Sequence, residues 1–236
     1  PKETCGLKVF MGTSTGTLLV EDDFALEQIF QFCPVTIVTH CEDNETIKNN
    51  SDKVNSQYQT LDASFHPIIR DDLCCYKSSS KVIDLAKKYS SDLHVLHLTT
   101  EKEIKLFENI DLKNKKITCE VCVHHLWFDE SDYEKLGNFI VCNPAIKKVS
   151  DRNALRKALK DGYIDYVATD HAPHSYEDKK LPYGKAPAGI PLIEHSFHMM
   201  IELHKQGYYS LEEVISYMSH KVADRFSIQD LSLIHI

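Results

Sequence analysis

The chain has 236 residues, 42% of them hydrophobic, enough to bury one sizeable α/β core and to make a single domain the default. A formal net charge of −8 leaves no concentrated basic surface and argues against a nucleic-acid partner. No apolar run approaches the roughly 20 residues of a membrane helix. The eight cysteines read as reduced core residues of a cytoplasmic protein, not as a disulfide scaffold.

In chain order, Gly6 to Met11 predicts a strand, followed by the loop Gly12-Thr13-Ser14-Thr15-Gly16 and a helix near Asp22 to Phe32 whose Ala25, Ile29 and Phe32 share a face. Val35 to Thr39 predicts the next strand. The stretch from Glu42 to Asp72 is polar and longer than an ordinary connection. Within it His66-Pro67 marks an extended turn, because a residue before proline is pushed out of the helical region. A helix is expected near Leu73 to Tyr89, a strand over Leu93 to Leu98 and a helix near Lys102 to Phe107. Lys113-Asn114-Lys115-Lys116 reads as a solvated loop before a strand over Lys116 to Val123. In that strand Cys119 and Cys122 stand three apart and point to opposite faces, which argues against a shared metal or redox site. Ser150-Asp151-Arg152-Asn153 is expected to cap a helix carrying Leu155 and Leu159, and Tyr163 to Ala168 predicts a fifth strand. Ser210-Leu211-Glu212-Glu213 is a capping box opening a helix through Met218.

Five strands alternating with helices, without an internal repeat, define an α/β chain that fits part of a parallel (β/α)8 barrel; a complete barrel needs eight strands. Three of the strands deliver chemistry where they end: His40-Cys41-Glu42-Asp43, His97-Leu98-Thr99-Thr100, and Thr169-Asp170-His171-Ala172-Pro173-His174. Catalytic groups of such barrels collect at the C-terminal strand ends. Imidazole and carboxylate are the ligands zinc takes in catalytic sites, so His40, His97 and Asp170 form a candidate set. A single histidine of this kind is more often a hydrogen-bonded structural residue; the joint placement favours the metal. His94, three residues before His97, is expected to face the other way and to pack or hydrogen-bond against a helix. His124-His125 reads as structural, or as support behind the ligands.

The runs Gly6-Leu7-Lys8-Val9-Phe10-Met11-Gly12, His40-Cys41-Glu42-Asp43, His97-Leu98-Thr99-Thr100, Asn143-Pro144-Ala145 and Thr169-Asp170-His171-Ala172-Pro173-His174, in this order and at these intervals, resemble the dihydroorotases of the amidohydrolase superfamily. The resemblance covers Cys5 to Asp230. It implies two zinc ions bridged by a carboxylated lysine, with Lys8 in the matching position, His40 and His97 as ligands of the second zinc, and Asp170 as a ligand of the first that also moves a proton. An ordinary surface or ion-paired lysine is the alternative for Lys8. The resemblance further implies that His174 holds the substrate carboxylate, with Asn143 and the backbone of Ala188-Gly189 lining the ring pocket; a plain loop histidine is the alternative for His174. Tyr176 to Lys185 reads as a mobile loop over the site. The implied reaction is the reversible cyclisation of carbamoyl-aspartate to dihydroorotate in pyrimidine synthesis, on a small-molecule substrate. Other cyclic amidohydrolases, such as allantoinase or hydantoinase, and a non-catalytic scaffold homologue are the competing readings, with a homodimer as the assembly to test.

The His-x-His pair of the first barrel strand, and the Arg and Asn that bind substrate in that family, are not in this sequence. The chain is therefore expected to correspond to barrel strands four to eight, over residues 1–230, and to be inactive alone. Leu231-Ser232-Leu233-Ile234-His235-Ile236 matches the translation of a sequencing adaptor and is expected not to be native.

Overall fold

Short apolar runs bounded by side-chain caps set the architecture, which a computed structural model describes for residues 4–12, 19–20 and 22–228. Most of the expected Gly12–Gly16 loop and the 231–236 tail lie outside the described residues. The first half runs β1 (Leu7–Met11), α1 (Asp23–Phe32), β2 (Ile37–Cys41), α2 (Asn44–Gln57), α3 (His66–Ile69) and α4 (Asp72–Tyr89). Next come β3 (Leu93–Val95), α5 (Glu101–Ile104), β4 (Ile117–Cys122), α6 (Val123–Trp127), α7 (Tyr133–Leu136) and α8 (Val149–Lys160). The chain closes with β5 (Tyr166–Ala168), α9 (Tyr176–Lys179), α10 (Ser196–Lys205), α11 (Leu211–Ile215) and α12 (Lys221–Arg225). Asp22, Asp43 and Asp71 each accept a backbone N–H at the start of α1, α2 and α4, supplying the acceptor that a helix N-terminus lacks.

The strands form one parallel sheet in sequence order, β1-β2-β3-β4-β5, with helical crossovers between neighbours. Register fixes the faces. Val9, Thr39, Val95 and Cys119 align in one row, while Lys8, Val38, His94 and Thr118 align in the adjacent row, on the opposite face. The first face is buried under Leu26 and Phe30 of α1, Val82 and Ile83 of α4, and Leu155 and Leu159 of α8. Each such side chain contributes about 1.5–3 kcal/mol by leaving water. On the other face Lys8 is exposed and Phe10 and Val38 are half-buried. Among the described residues no helix is long and apolar enough to cross a membrane.

Several local expectations need correction. The polar stretch after Glu42 contains α2, whose inward stripe of Ile47, Asn50, Ser51 and Val54 is half polar and so lacks apolar periodicity. His66 is helical (φ −59°, ψ −48°), not extended: Pro67 falls in the first turn, where its missing N–H is not needed, and the His66 side chain is held at both nitrogens. Lys115 is not solvated; its Nζ forms a buried ion pair with Asp165 at 2.8 Å and donates to the Gly162 carbonyl at 2.9 Å. At α8 the cap falls on Lys148, two residues before Ser150, and Asp151 reaches back to accept the Lys148 N–H at 3.2 Å while also accepting the Glu101 N–H.

His94 meets a helix only at its end: its ring packs edge-on against Phe226, which caps α12, at 5.9 Å between ring centres, while its nitrogens are taken within the sheet. Strand β3 stops at Val95, and His97 adopts a positive φ of 37°, so strict alternation does not run through to it. His94 shares the Lys8 face and bonds across the sheet, to Thr118 Oγ1 at 2.9 Å, Glu120 Oε2 at 3.2 Å and Tyr166 OH at 2.7 Å. Cys119 and Cys122 part as expected: Cys119 packs in the core, and Cys122 lies beside His124 and His125.

Candidate active site

His40, one residue before the end of β2, has both ring nitrogens committed. Its Nε2 meets Glu42 Oε2 at 3.0 Å, and its Nδ1 meets His97 Nε2 at 3.0 Å. Glu42 is buried, and desolvation alone would raise its pKa; the Arg70 guanidinium, bonded to the same oxygen, and the His40 ring outweigh that and hold the carboxyl down to about 2. An ionised Glu42 only accepts, so His40 donates from Nε2 and turns its Nδ1 lone pair toward His97. Burial, reinforced by the His40 ring, pushes the His97 pKa well below the usual histidine range and keeps that ring neutral.

The contact is then a hydrogen bond donated by His97 Nε2 to His40 Nδ1, a pair of nitrogens between which a metal could take the place of the shared proton. Ligands at about 2.0–2.1 Å on a tetrahedral zinc stand about 3.3–3.4 Å apart, so the observed 3.0 Å separation needs to open by only a few tenths of an ångström. Lys8 acts electrostatically on both His97 and Asp170, and His40 acts on Asp170 as well, but among the described residues the ligand atoms of His40, His97 and Asp170 do not all lie within 4.8 Å of one another. The Asp170 carboxyl is shifted upward, chiefly by desolvation, against the pull of Lys8 and His40. Only four non-glycine residues among those described have positive φ, and His97 (37°) and Asp170 (42°) are two of them. Backbone in this region is unfavourable for most side chains and persists where the surroundings over-determine it, as at functional sites.

The Glu42–Arg70 pair was not singled out from sequence. Glu42 follows His40 by two positions and so shares its side of the strand end, a signal that was available; Arg70 lies 28 residues on and gave none. Carboxylate partners of this kind fix ring orientation and typically govern metal affinity by 10–100-fold. Glu42→Gln is expected to weaken zinc binding by about 10–100-fold and, by breaking the buried Glu42–Arg70 ion pair, to lower stability by about 3–5 kcal/mol. Competition with a chelator and denaturant titration check the two effects; unchanged zinc affinity would remove Glu42 from the site.

The expected substrate residues form a wall from three segments. His174 Nε2 donates to the Ala188 carbonyl at 3.0 Å. Gly189 has φ 141°, and a Cβ there would lie 2.6 Å from Ala172 Cβ and 2.7 Å from Ala172 O, so only glycine fits the close approach. The Gly189 N–H donates to Val141 O at 2.8 Å, two residues before Asn143.

The segment read as a mobile loop is anchored. Its α9 carries Lys179, buried, whose Nζ donates to Pro187 O (2.9 Å), Gly189 O (3.0 Å) and Val141 O (3.3 Å). Desolvation lowers the Lys179 pKa. Leu181 O accepts from Asn138 at 2.7 Å, and Tyr183 OH meets His66 at 2.9 Å.

Two other donor groups lie nearby with ligand atoms within 4.8 Å of one another: Cys122, His124 and His125, and Glu42, Cys74 and Cys75. His125 donates from Nε2 to Pro144 O at 3.0 Å, whereas its Nδ1 and both nitrogens of His124 are buried without a hydrogen-bond partner; desolvation lowers the His124 pKa to about 3 and that of His125 well below the usual histidine range, so both rings are neutral.

No family model matches the chain. Its sequence is similar to the dihydroorotases of Macrococcus caseolyticus (30% identity over 219 residues, 92% of this chain and 49% of that protein) and Bacillus pumilus (33% over 193 residues, 81% and 44%). Its fold is similar to L-hydantoinase (dihydropyrimidinase) from Arthrobacter aurescens (TM-score 0.85, 24% identity, covering 96% of this chain and 52% of that one). It is also similar to dihydroorotase from Saccharomyces cerevisiae, solved with 5-fluoroorotic acid (TM-score 0.72, 18% identity, 96% and 61%). The chain spans about half the length of the curated relatives it matches. Its parallel strands and helices are laid out as in those solved structures. By sequence the chain is a relative of the dihydroorotases.

Proposed function

We propose that the natural-length protein containing this chain is a zinc-dependent dihydroorotase of de novo pyrimidine synthesis. The observation that carries the metal is the His40–His97 nitrogen pair held open by Glu42. The similarity to dihydroorotases over 92% of the chain supports the substrate. Lys8, as its carbamate, together with His40, His97 and Asp170 would hold two zinc ions. When bound, zinc supplies Lewis acidity to polarise the ring amide and lowers the pKa of water. Asp170 accepts the proton released during attack and delivers it to the leaving ring nitrogen. His174 holds the ring carboxylate, and Asn143 with the Ala188–Gly189 backbone lines the ring. We place the protein in the cytoplasm, where its free thiols stay reduced.

The hydantoinases give a second reading, favoured by their higher TM-scores, although they share no more than 24% identity with the chain. Turnover of dihydroorotate against hydantoin in the natural-length protein decides between them, and calorimetric binding of 5-fluoroorotic acid tests the pocket independently of turnover. His174→Ala is expected to raise the KM for dihydroorotate and carbamoyl-aspartate by about tenfold or more, as loss of a charge-assisted hydrogen bond does, with a smaller change in kcat. Unchanged KM values for both substrates would sink the dihydroorotase assignment.

A further inference from the structure

His66 stands outside every role assigned above, yet it joins two segments, the one carrying Asn143 and the one carrying Tyr183. Its ring is buried, with Nε2 2.9 Å from Cys142 O and 3.1 Å from Asn143 Oδ1, and Nδ1 2.9 Å from Tyr183 OH. A cleft of about 610 Å³ beside it is lined by Arg70, Val141, Tyr183 and Ala188.

The hydrogen positions follow from one group. The Cys142 carbonyl can only accept, so His66 carries its proton on Nε2. Burial drives the His66 pKa down to about 4, so Nδ1 carries none near neutral pH and accepts from the Tyr183 hydroxyl. The Asn143 atom facing the Nε2 proton must then be the amide oxygen, which turns the amide NH2 away from His66.

We propose that His66 is a positioning residue: it fixes the Asn143 amide so that its NH2 group is presented as a donor to an acceptor oxygen of the ring substrate, with the Cys142 carbonyl fixing the tautomer that does so and Tyr183 supporting it at Nδ1. The proposal rests on Asn143 lining the ring pocket. Without His66 the amide rotates freely, and half of its orientations offer an oxygen to an oxygen. The cost falls on ligand binding, since Asn143 takes no part in proton transfer.

The test uses the natural-length protein and reads KM for dihydroorotate and Kd for 5-fluoroorotic acid, the latter needing no turnover. His66→Ala is expected to weaken both by about tenfold, the scale of one hydrogen bond, with kcat changed less than about threefold. His66→Gln, whose amide can still donate toward Cys142 O and Asn143, is expected to recover most of that loss. Tyr183→Phe is expected to cost only about two- to threefold, because the Cys142 carbonyl still fixes the tautomer. His66→Ala combined with Asn143→Ala should bind no more weakly than Asn143→Ala alone, because residues acting through one another are not additive. If Asn143→Ala weakens binding while His66→Ala does not, or if the two effects add, the positioning role is wrong and the ring-pocket reading stands. If Asn143→Ala changes neither constant, the ring-pocket reading fails and the proposal fails with it. Should His66→Ala not fold, His66→Gln and Tyr183→Phe decide: a glutamine variant that folds but binds tenfold more weakly overturns the proposal.

Discussion

Lys8→Ala is expected to leave the natural-length protein with little bound zinc and no measurable turnover. Lys8 lies in the row of β1 that faces away from the helices, its ammonium 4.6 Å from the Phe10 ring centre, and its charge reaches both His97 and Asp170. An ammonium with a reference pKa near ~10.4 repels a cation, whereas its carbamate offers two anionic oxygens to the same point. Alanine removes both forms and leaves a space about the size of a short acid. Acetate or propionate is therefore expected to restore part of the activity. Metal analysis showing full zinc occupancy in Lys8→Ala would refute the bridging role.

Asp170→Asn is expected to lower kcat by about 10²–10⁴-fold, the usual range for loss of a positioned acid–base group, while the protein stays folded. Asparagine is nearly isosteric and is among the residues that tolerate positive φ, so the 42° backbone at this position is preserved. The amide cannot accept a proton from an attacking water. Measuring zinc alongside kcat separates the two roles assigned to the carboxylate: zinc retained with kcat lost isolates the proton transfer, and zinc lost with kcat identifies the ligand. A kcat within about tenfold of the unaltered protein removes Asp170 from catalysis.

The strands were legible because Val, Ile and Thr cluster in short runs, as in Val35 to Thr39 and Tyr163 to Ala168, and a parallel sheet buried on one face tolerates little else there. Helix α2 was not, since Asn50 and Ser51 occupy its inward stripe. The strand-end ligands could be read because β2 carries His40, and β3 and β5 each end two residues before His97 and Asp170. What supports them could not: Arg70, His66 and Lys179 act on residues 28, 77 and 10 positions away, through single side chains with no local pattern. His94 was misplaced for the opposite reason, an alternation rule applied past the point where β3 ends.

Lys179 has one more consequence. Three carbonyls that would repel one another face a common point and are reconciled there by one cation, which spends its N–H bonds on Val141, Pro187 and Gly189. The pocket wall thus behaves as an arch with a keystone. It holds only where the segment following β4 meets the segment following β5, so one side chain ties together two stretches that the sheet itself does not join.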